Sequence, residues 1–205
     1  NIFLPFSILM MIMNLSRFTY PKCLPGILIG NNMIMLFIAS SGGWLPIYYK
    51  NVSFEYEKGK KYIALDTIQN PDNLGAISRT AEALGLDGMV ICGGCDIYNP
   101  KALRASMGAL FRLPICICQN LEDEVEKCRK LGINTFATVP DRNAENIVTV
   151  DFSNGGMCII GNEGNGVSKE VIEKSDRRIT IKMDGRAESL NASAAASIVM
   201  WEMAR

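Results

Sequence analysis

The chain contains no histidine. That removes the one side chain that ordinarily titrates near neutrality, and with it Ser-His and Cys-His nucleophilic schemes and the commonest metal ligand. Net charge is also missing: 21 Lys and Arg balance 21 Asp and Glu over 205 residues, so any nucleic-acid partner must be held by a local basic patch rather than by the field of the whole molecule. Charge is scarcest at the start, where residues 1–49 carry Arg17 and Lys22 and no carboxylate. Two glycine signatures fail as well. "GNEGNGVS", residues 161–168, is spaced like a phosphate loop, but Val167 stands where the lysine belongs and Glu163 would repel phosphates. The strand-like "KYIALD" runs into "TIQNPDNLGA" without the G-x-G-x-x-G of a dinucleotide fold. Nucleotide triphosphatase and dehydrogenase readings are thereby disfavoured.

What is present is a composition, 48% hydrophobic and 20% charged, that fills the core of one α/β domain with room for a smaller appendage. Seven cysteines, odd in number and irregularly spaced, fit reduced thiols in a cytoplasmic protein. Cys92 and Cys95 form "CGGC", a thiol pair or half a zinc site. No second such pair follows, which favours plain strand-end cysteines beside a glycine turn. "NIFLPFSILMMIMNL" is short for a bilayer span, and "NNMIMLFIASSGGWLPIYY" is interrupted at Ser40, Ser41, Gly42 and Gly43. Residues 1–60 are therefore expected to be a divergent or incomplete N-terminal segment rather than a membrane anchor.

From residue 61 to 205, strand-like and helix-like segments alternate. Strands are expected at "KYIALD", "GMVICGG", "PICIC", "INTFATVP", "MCIIG" and "RITIKM", the last ending at Met183. Helices are expected at "NLGAISRTAEALG", begun near Asn73 and closed by Gly85, and at "LEDEVEKCRKLG", closed by Gly132. Asn99 can cap a helix with Pro100 in its first position, predicted to run to about Phe111. A short helix near "SKEVIEK" and a final one in "NASAAASIVMWEMAR" complete the pattern. Such alternation predicts a mostly parallel sheet with helices on both faces. On one helix reaching Phe111, Lys101, Arg104 and Arg112 would share a face, a candidate phosphate-contacting stripe or a solvated surface, with Met107 and Leu110 turned to the core.

The 161–168 turn, lacking a counter-charge for phosphate, can bring glycine backbone close to an uncharged heterocycle and ribose. Taken with "NPDNLGAISRTAEALG" and "ITIKMDGRAESLNASAAAS", it resembles the three motifs of the SpoU/TrmH branch of the SPOUT methyltransferases, in order over residues 61–205. "YNPKALRASMGALFRLP" is similar to the segment of ribosomal-RNA-directed members. The resemblance implies transfer of a methyl group from S-adenosylmethionine to a ribose 2'-hydroxyl, in ribosomal RNA rather than tRNA. It also implies a C-terminal trefoil knot, a cytoplasmic homodimer with the site near the subunit interface, and no need of a metal. The alternatives are a non-catalytic RNA-binding relative on the same fold and tRNA rather than ribosomal RNA as the substrate.

Residue roles come from the same resemblance. Arg79 is the residue that activates the ribose hydroxyl. A guanidinium is a poor proton acceptor, so orienting the hydroxyl and stabilising the developing alkoxide suits it better. Asn73 and Glu163 orient Arg79 or the substrate, and Ser189 and Asn191 shape the catalytic pocket. Gly161, Ile181 and Leu190, with Thr138 and Val139, line the cofactor site. Ala192 stands where the family commonly has valine, a small loss of apolar volume.

Overall fold

The computed structural model describes residues 54–186 and 189–205 in full, and the backbone of 27–30, 33–40 and 43–50. Two compact units divide the chain, residues 1–49 and 50–205. In the first, β1 (Ile27–Gly30), β2 (Met33–Ser40) and β3 (Gly43–Lys50) form one sheet in that order, β1 and β2 antiparallel. The interrupted apolar stretch 31–49 is thus largely strand. Among the described residues no helix is long and apolar enough to cross a membrane. The apolar run of residues 1–15 lies outside the described residues.

The second unit is built on seven strands: β4 (Lys61–Asp66), β5 (Gly88–Cys92), β6 (Ile115–Cys118), β7 (Thr135–Thr138), β8 (Glu145–Asn146), β9 (Gly156–Ile160) and β10 (Arg177–Thr180). They lie in the order β6-β5-β4-β9-β7-β10-β8, all parallel. Two late strands are inserted between earlier ones, β9 between β4 and β7, and β10 between β7 and β8. The central strands read as unbroken apolar runs because both faces are covered. Ile63 and Leu65 of β4 join one core with Ile77 of α1 (Pro71–Ala83) and Val199 and Met203 of α5 (Ala192–Ala204). Tyr62 and Ala64 face the opposite core, with Val125 and Cys128 of α3 (Leu121–Lys130) and Val171 of α4 (Lys169–Lys174). The period-two alternation of one strand thus serves two helical layers.

Several boundaries differ from the sequence expectation. Helix α1 starts two residues before Asn73: Asn70 is its cap, its Oδ1 accepting from the Asp72 amide at 2.9 Å, with Pro71 in the first position. The helix closes as expected at Gly85, at φ +70°, where the Gly85 and Leu86 amides return to the Glu82 and Ala81 carbonyls. Strand β10 stops at Thr180, three residues short of Met183.

The largest departure is in residues 98–114. Asn99 caps α2 (Pro100–Ala105) as predicted, but left-handed Met107 (φ +50°) and Gly108 (φ +86°) end the helix, and a 3-10 turn, Ala109–Phe111, follows. Lys101 and Arg104 remain on α2; Arg112 does not. Its guanidinium grips the Glu82 carboxylate in a two-pronged ion pair and donates to the Met107 carbonyl. The common basic stripe is therefore corrected to two residues. Met107 is 67% exposed, not turned to the core, whereas Leu110 is buried.

Helix α1 crosses α2 so closely that Gly75 has no room for a side chain. An added Cβ would lie 2.5 Å from the Ala105 Cβ and 2.6 Å from the Ala102 carbonyl oxygen. Alanine gains up to about 1 kcal/mol in helix propensity, yet overpacking against backbone costs about 1–3 kcal/mol because nothing flexible can yield. Gly75→Ala is expected to lower the melting temperature by at least about 2–4 °C. An unchanged or raised midpoint in a calorimetric scan would show that the crossing relaxes.

Candidate active site

A cavity of about 330 Å³ opens beyond the carboxyl ends of β7, β9 and β10, within the size range of small-molecule sites, about 300–1,000 Å³, and at the edge of a parallel sheet where ligands of such folds lie. Each strand end delivers residues into it: Thr138 closing β7 and Val139 after it, Gly161 after β9, Ile181 after β10. Ser189 and Leu190, leading into α5, form the remaining wall. All five residues assigned to the cofactor site by resemblance therefore line one hollow.

The turn after β9 is shaped by main chain. Asn162 and Gly166 exchange backbone hydrogen bonds of 3.0 and 2.9 Å, and the Asn162 side chain accepts from the Gly164 and Asn165 amides while donating to the Thr67 carbonyl. The Asp66 carboxylate anchors the far end through the Ser168 amide at 2.8 Å. Gly161 is obligatory for contact rather than conformation: a Cβ there would sit 2.0 Å from the Gly166 carbonyl carbon and the Val167 nitrogen. Among the described residues, Glu163 is the single charged one on the cavity wall. The hollow is thus mildly negative, which suits a cationic ligand and disfavours phosphates.

A polar chain fixes the three segments to one another. The Glu163 carboxylate accepts from the Gln69 and Asn70 amides, both at 3.1 Å, and from Asn73 Nδ2 at 2.9 Å. Because a carboxylate only accepts, Asn73 must donate to it and present its own oxygen to Asn191 Nδ2, 3.1 Å away. Asn191 Oδ1 then caps α5 by accepting from the Ser193 and Ala194 amides. Burial pushes the Glu163 carboxyl upward, but the bonds from Asn73, Gln69 and Asn70 outweigh it and hold the group below the usual carboxylate range. A carboxylate with a depressed folded pKa contributes stability above its ordinary pKa of about 4.3, lost as pH falls through the folded value. Being solvent-exposed, the tie is weakened by screening. Glu163→Gln is expected to lower the melting temperature by about 2–4 °C at neutral pH, with the difference constant above about pH 5 and vanishing in acid. A difference that persists undiminished at pH 3 would show that the charge is irrelevant.

Arg79 is not brought into this group. Helix α1 runs away from the strand ends, so Arg79 lies about 12 Å along the axis from Pro71. It does not line the cavity, and it is exposed with no hydrogen bond or ion pair among the described residues. Asn73 and Glu163, expected to orient Arg79 or the substrate, bond to each other, and neither bonds Arg79. Ser189 lines the cavity with an exposed side chain.

Burial pushes the Cys92 and Cys95 thiols upward, which keeps them protonated and poor as ligands or nucleophiles, and among the described residues no His, Cys, Asp and Glu cluster suits a metal ion. The sequence missed Asn70, although the same Asn-Pro signal was legible at Asn99-Pro100, and it missed Asp66, whose anchoring role depends on a contact 102 positions away.

A wholly parallel α/β sheet thus carries a phosphate-averse small-molecule cavity across three strand ends, with three distant segments tied together beside it by amide and carboxylate side chains. The chain belongs to the SpoU rRNA methylase family, whose model matches residues 60–201. It is 34% identical over 145 residues to the 23S rRNA (guanosine(2553)-2'-O)-methyltransferase RlmP of Bacillus subtilis, covering 70% of this chain and 58% of that one. The SpoU methyltransferase AviRb from Streptomyces viridochromogenes in complex with AdoMet superposes with a TM-score of 0.66 at 33% identity, over 73% of this chain and 61% of that one. An AdoMet-bound rRNA methyltransferase from Sinorhizobium meliloti gives 0.67 at 33% identity, over 73% and 57%. The chain spans a little over half the length of these relatives.

Proposed function

We propose that the chain is an S-adenosylmethionine-dependent RNA methyltransferase acting on a ribose 2'-hydroxyl, with ribosomal RNA as the substrate class. The observation that carries this reading is that residues 161–167 and 189–190 line one small, mildly negative cavity, with residues 69–73 tied to its wall through Glu163 and Asn191. The cavity fits the cofactor: Ile181 and Leu190 offer apolar faces for adenine, the turn at Gly161 offers main-chain groups to its polar edge, and Glu163 complements a positive charge. When bound, S-adenosylmethionine supplies a methyl group already activated by its sulfonium, so the protein need only align an oxygen and manage one proton.

The protein's share is therefore placement. Asn73, Glu163, Asn191 and Ser189 hold the wall where donor and acceptor meet, and Arg79 steadies the developing alkoxide. Since Arg79 does not line the cavity of its own chain, we assign it to the site of a second copy, making the working unit a homodimer. Helix α5 supports this with exposed Ile198 and Trp201 on one side, the tryptophan 60% accessible. Lys101 and Arg104 are assigned to RNA phosphates beside that site. Titration calorimetry with S-adenosylmethionine, followed by methyl transfer to ribosomal RNA and to tRNA, tests the reading. Saturable binding with transfer to ribosomal RNA is expected; binding without transfer to either RNA would favour a non-catalytic RNA binder.

A further inference from the structure

A second hollow, of about 870 Å³, adjoins the cofactor cavity and shares Pro140, Thr180, Ile181 and Met183 with it. Its lining inverts the charge. Among the described residues, the first cavity has Glu163 as its charged residue, whereas this groove carries Arg142 from the loop after β7, and Lys182 and Arg186 from the loop after β10, against the Asp184 carboxylate. The nearby acids are engaged elsewhere: Glu145 pairs with Arg177, and Asp141 lies 4.0 Å from Arg178. Arg142 and Arg186 have no hydrogen bond or ion pair among the described residues, and both are exposed. Lys182 meets Asp184 at 3.4 Å with both side chains mostly in solvent, a pair too weak to hold it against a better anion. On a chain with zero formal charge, two positive charges left unmatched among the described residues of one groove are a local electrostatic feature that the composition hides.

We propose that this groove holds the phosphate backbone of the RNA strand flanking the target ribose, with Arg142, Lys182 and Arg186 as its phosphate contacts. The inference rests on the methyltransferase reading above and gives it a second, separate RNA surface. The reasoning is chemical. A ribose hydroxyl presented to the cofactor cavity belongs to a polyanion whose neighbouring phosphates must pass over adjacent protein. The cavity itself repels them, and the adjoining groove, reached across Thr180 and Ile181, attracts them. Guanidinium groups on two different loops suit successive phosphates of one strand, spaced along a path, better than the clustered charge of a single small anion. The partner is single-stranded, because the 2'-hydroxyl must leave the crowded groove of a helix to reach a methyl donor.

The test is the triple variant R142E/K182E/R186E, with R142Q/K182Q/R186Q as a gentler companion. Binding of a fluorescein-labelled single-stranded RNA is followed by anisotropy across a salt series, and of a matching duplex in parallel. The proposal expects the single strand to lose at least about tenfold in affinity, and the slope of log K against log salt to shrink by about 2, since each lost contact removes about 0.7. KM for ribosomal RNA should rise with kcat nearly unchanged, while calorimetric affinity for S-adenosylmethionine and the melting temperature stay within error. Unchanged affinity, slope and KM in both variants, with wild-type transfer intact, would overturn the groove and leave the methyltransferase reading standing. Equal weakening on the duplex would overturn its single-strand character. A wild-type chain that binds the cofactor and neither RNA would remove both readings together.

Discussion

Arg79→Ala is expected to lower methyl transfer by about a hundredfold or more while leaving affinity for S-adenosylmethionine within about twofold, the pattern of a lost donor at a developing oxyanion. The separation follows from position: Arg79 is absent from the cavity wall, so truncating it removes nothing the cofactor touches. Its exposure and lack of partners among the described residues also predict no loss of stability. Arg79→Lys should recover little, because a point charge cannot copy the guanidinium fork. The assignment of Arg79 to a neighbouring copy has a sharper consequence. Mixing the Arg79→Ala chain with a chain defective in its own cavity should restore activity to roughly a quarter of wild type, since a mixed dimer keeps one site with both parts sound. Mixtures that stay inactive would place the arginine in its own chain's site or outside catalysis.

The cavity-defective partner for that experiment is Gly161→Ala, the second large effect. One methyl group there would overlap two main-chain atoms at 2.0 Å, and neither the Gly166 carbonyl nor the Val167 amide can swing aside as a side chain would. The turn must open, pulling against the Asn162–Gly166 bridge and the Asp66–Ser168 anchor. A cost of about 1–3 kcal/mol falls on the cofactor-competent shape, so affinity for S-adenosylmethionine should drop between about tenfold and a hundredfold. RNA binding through the separate basic groove should persist. Equal loss of cofactor and RNA affinity would mean that the substitution unfolds the domain rather than reshaping one turn.

The parallel sheet was legible because its strands are buried on both faces and announce themselves as short apolar runs, as "GMVIC" and "GMCII" do. Strand order was not, since nothing in the period of β9 says that it lies between β4 and β7. The break in the helix after Ala105 was hidden for a different reason. Met107 adopts a left-handed backbone that no side-chain preference of methionine announces, and with left-handed Gly108 it breaks the expected stripe. Among the site residues, Thr138, Val139, Gly161, Ile181 and Leu190 were found through motif order and meet in one cavity. Arg142, Lys182 and Arg186 were not, because single basic residues in turn-rich text carry no signal until two loops bring them together. Arg79 was recognisable as a residue, but its distance from the cavity required the direction of α1.

The most direct measurement is the chemical fate of the methyl group. Ribosomal RNA incubated with the chain and methyl-labelled S-adenosylmethionine is hydrolysed in alkali, which cleaves every linkage bearing a free 2'-hydroxyl. Label recovered in an alkali-stable dinucleotide is the predicted result, because only a blocked ribose survives. Label released in mononucleotides, carried on a base, would contradict the assignment of this cavity to ribose chemistry.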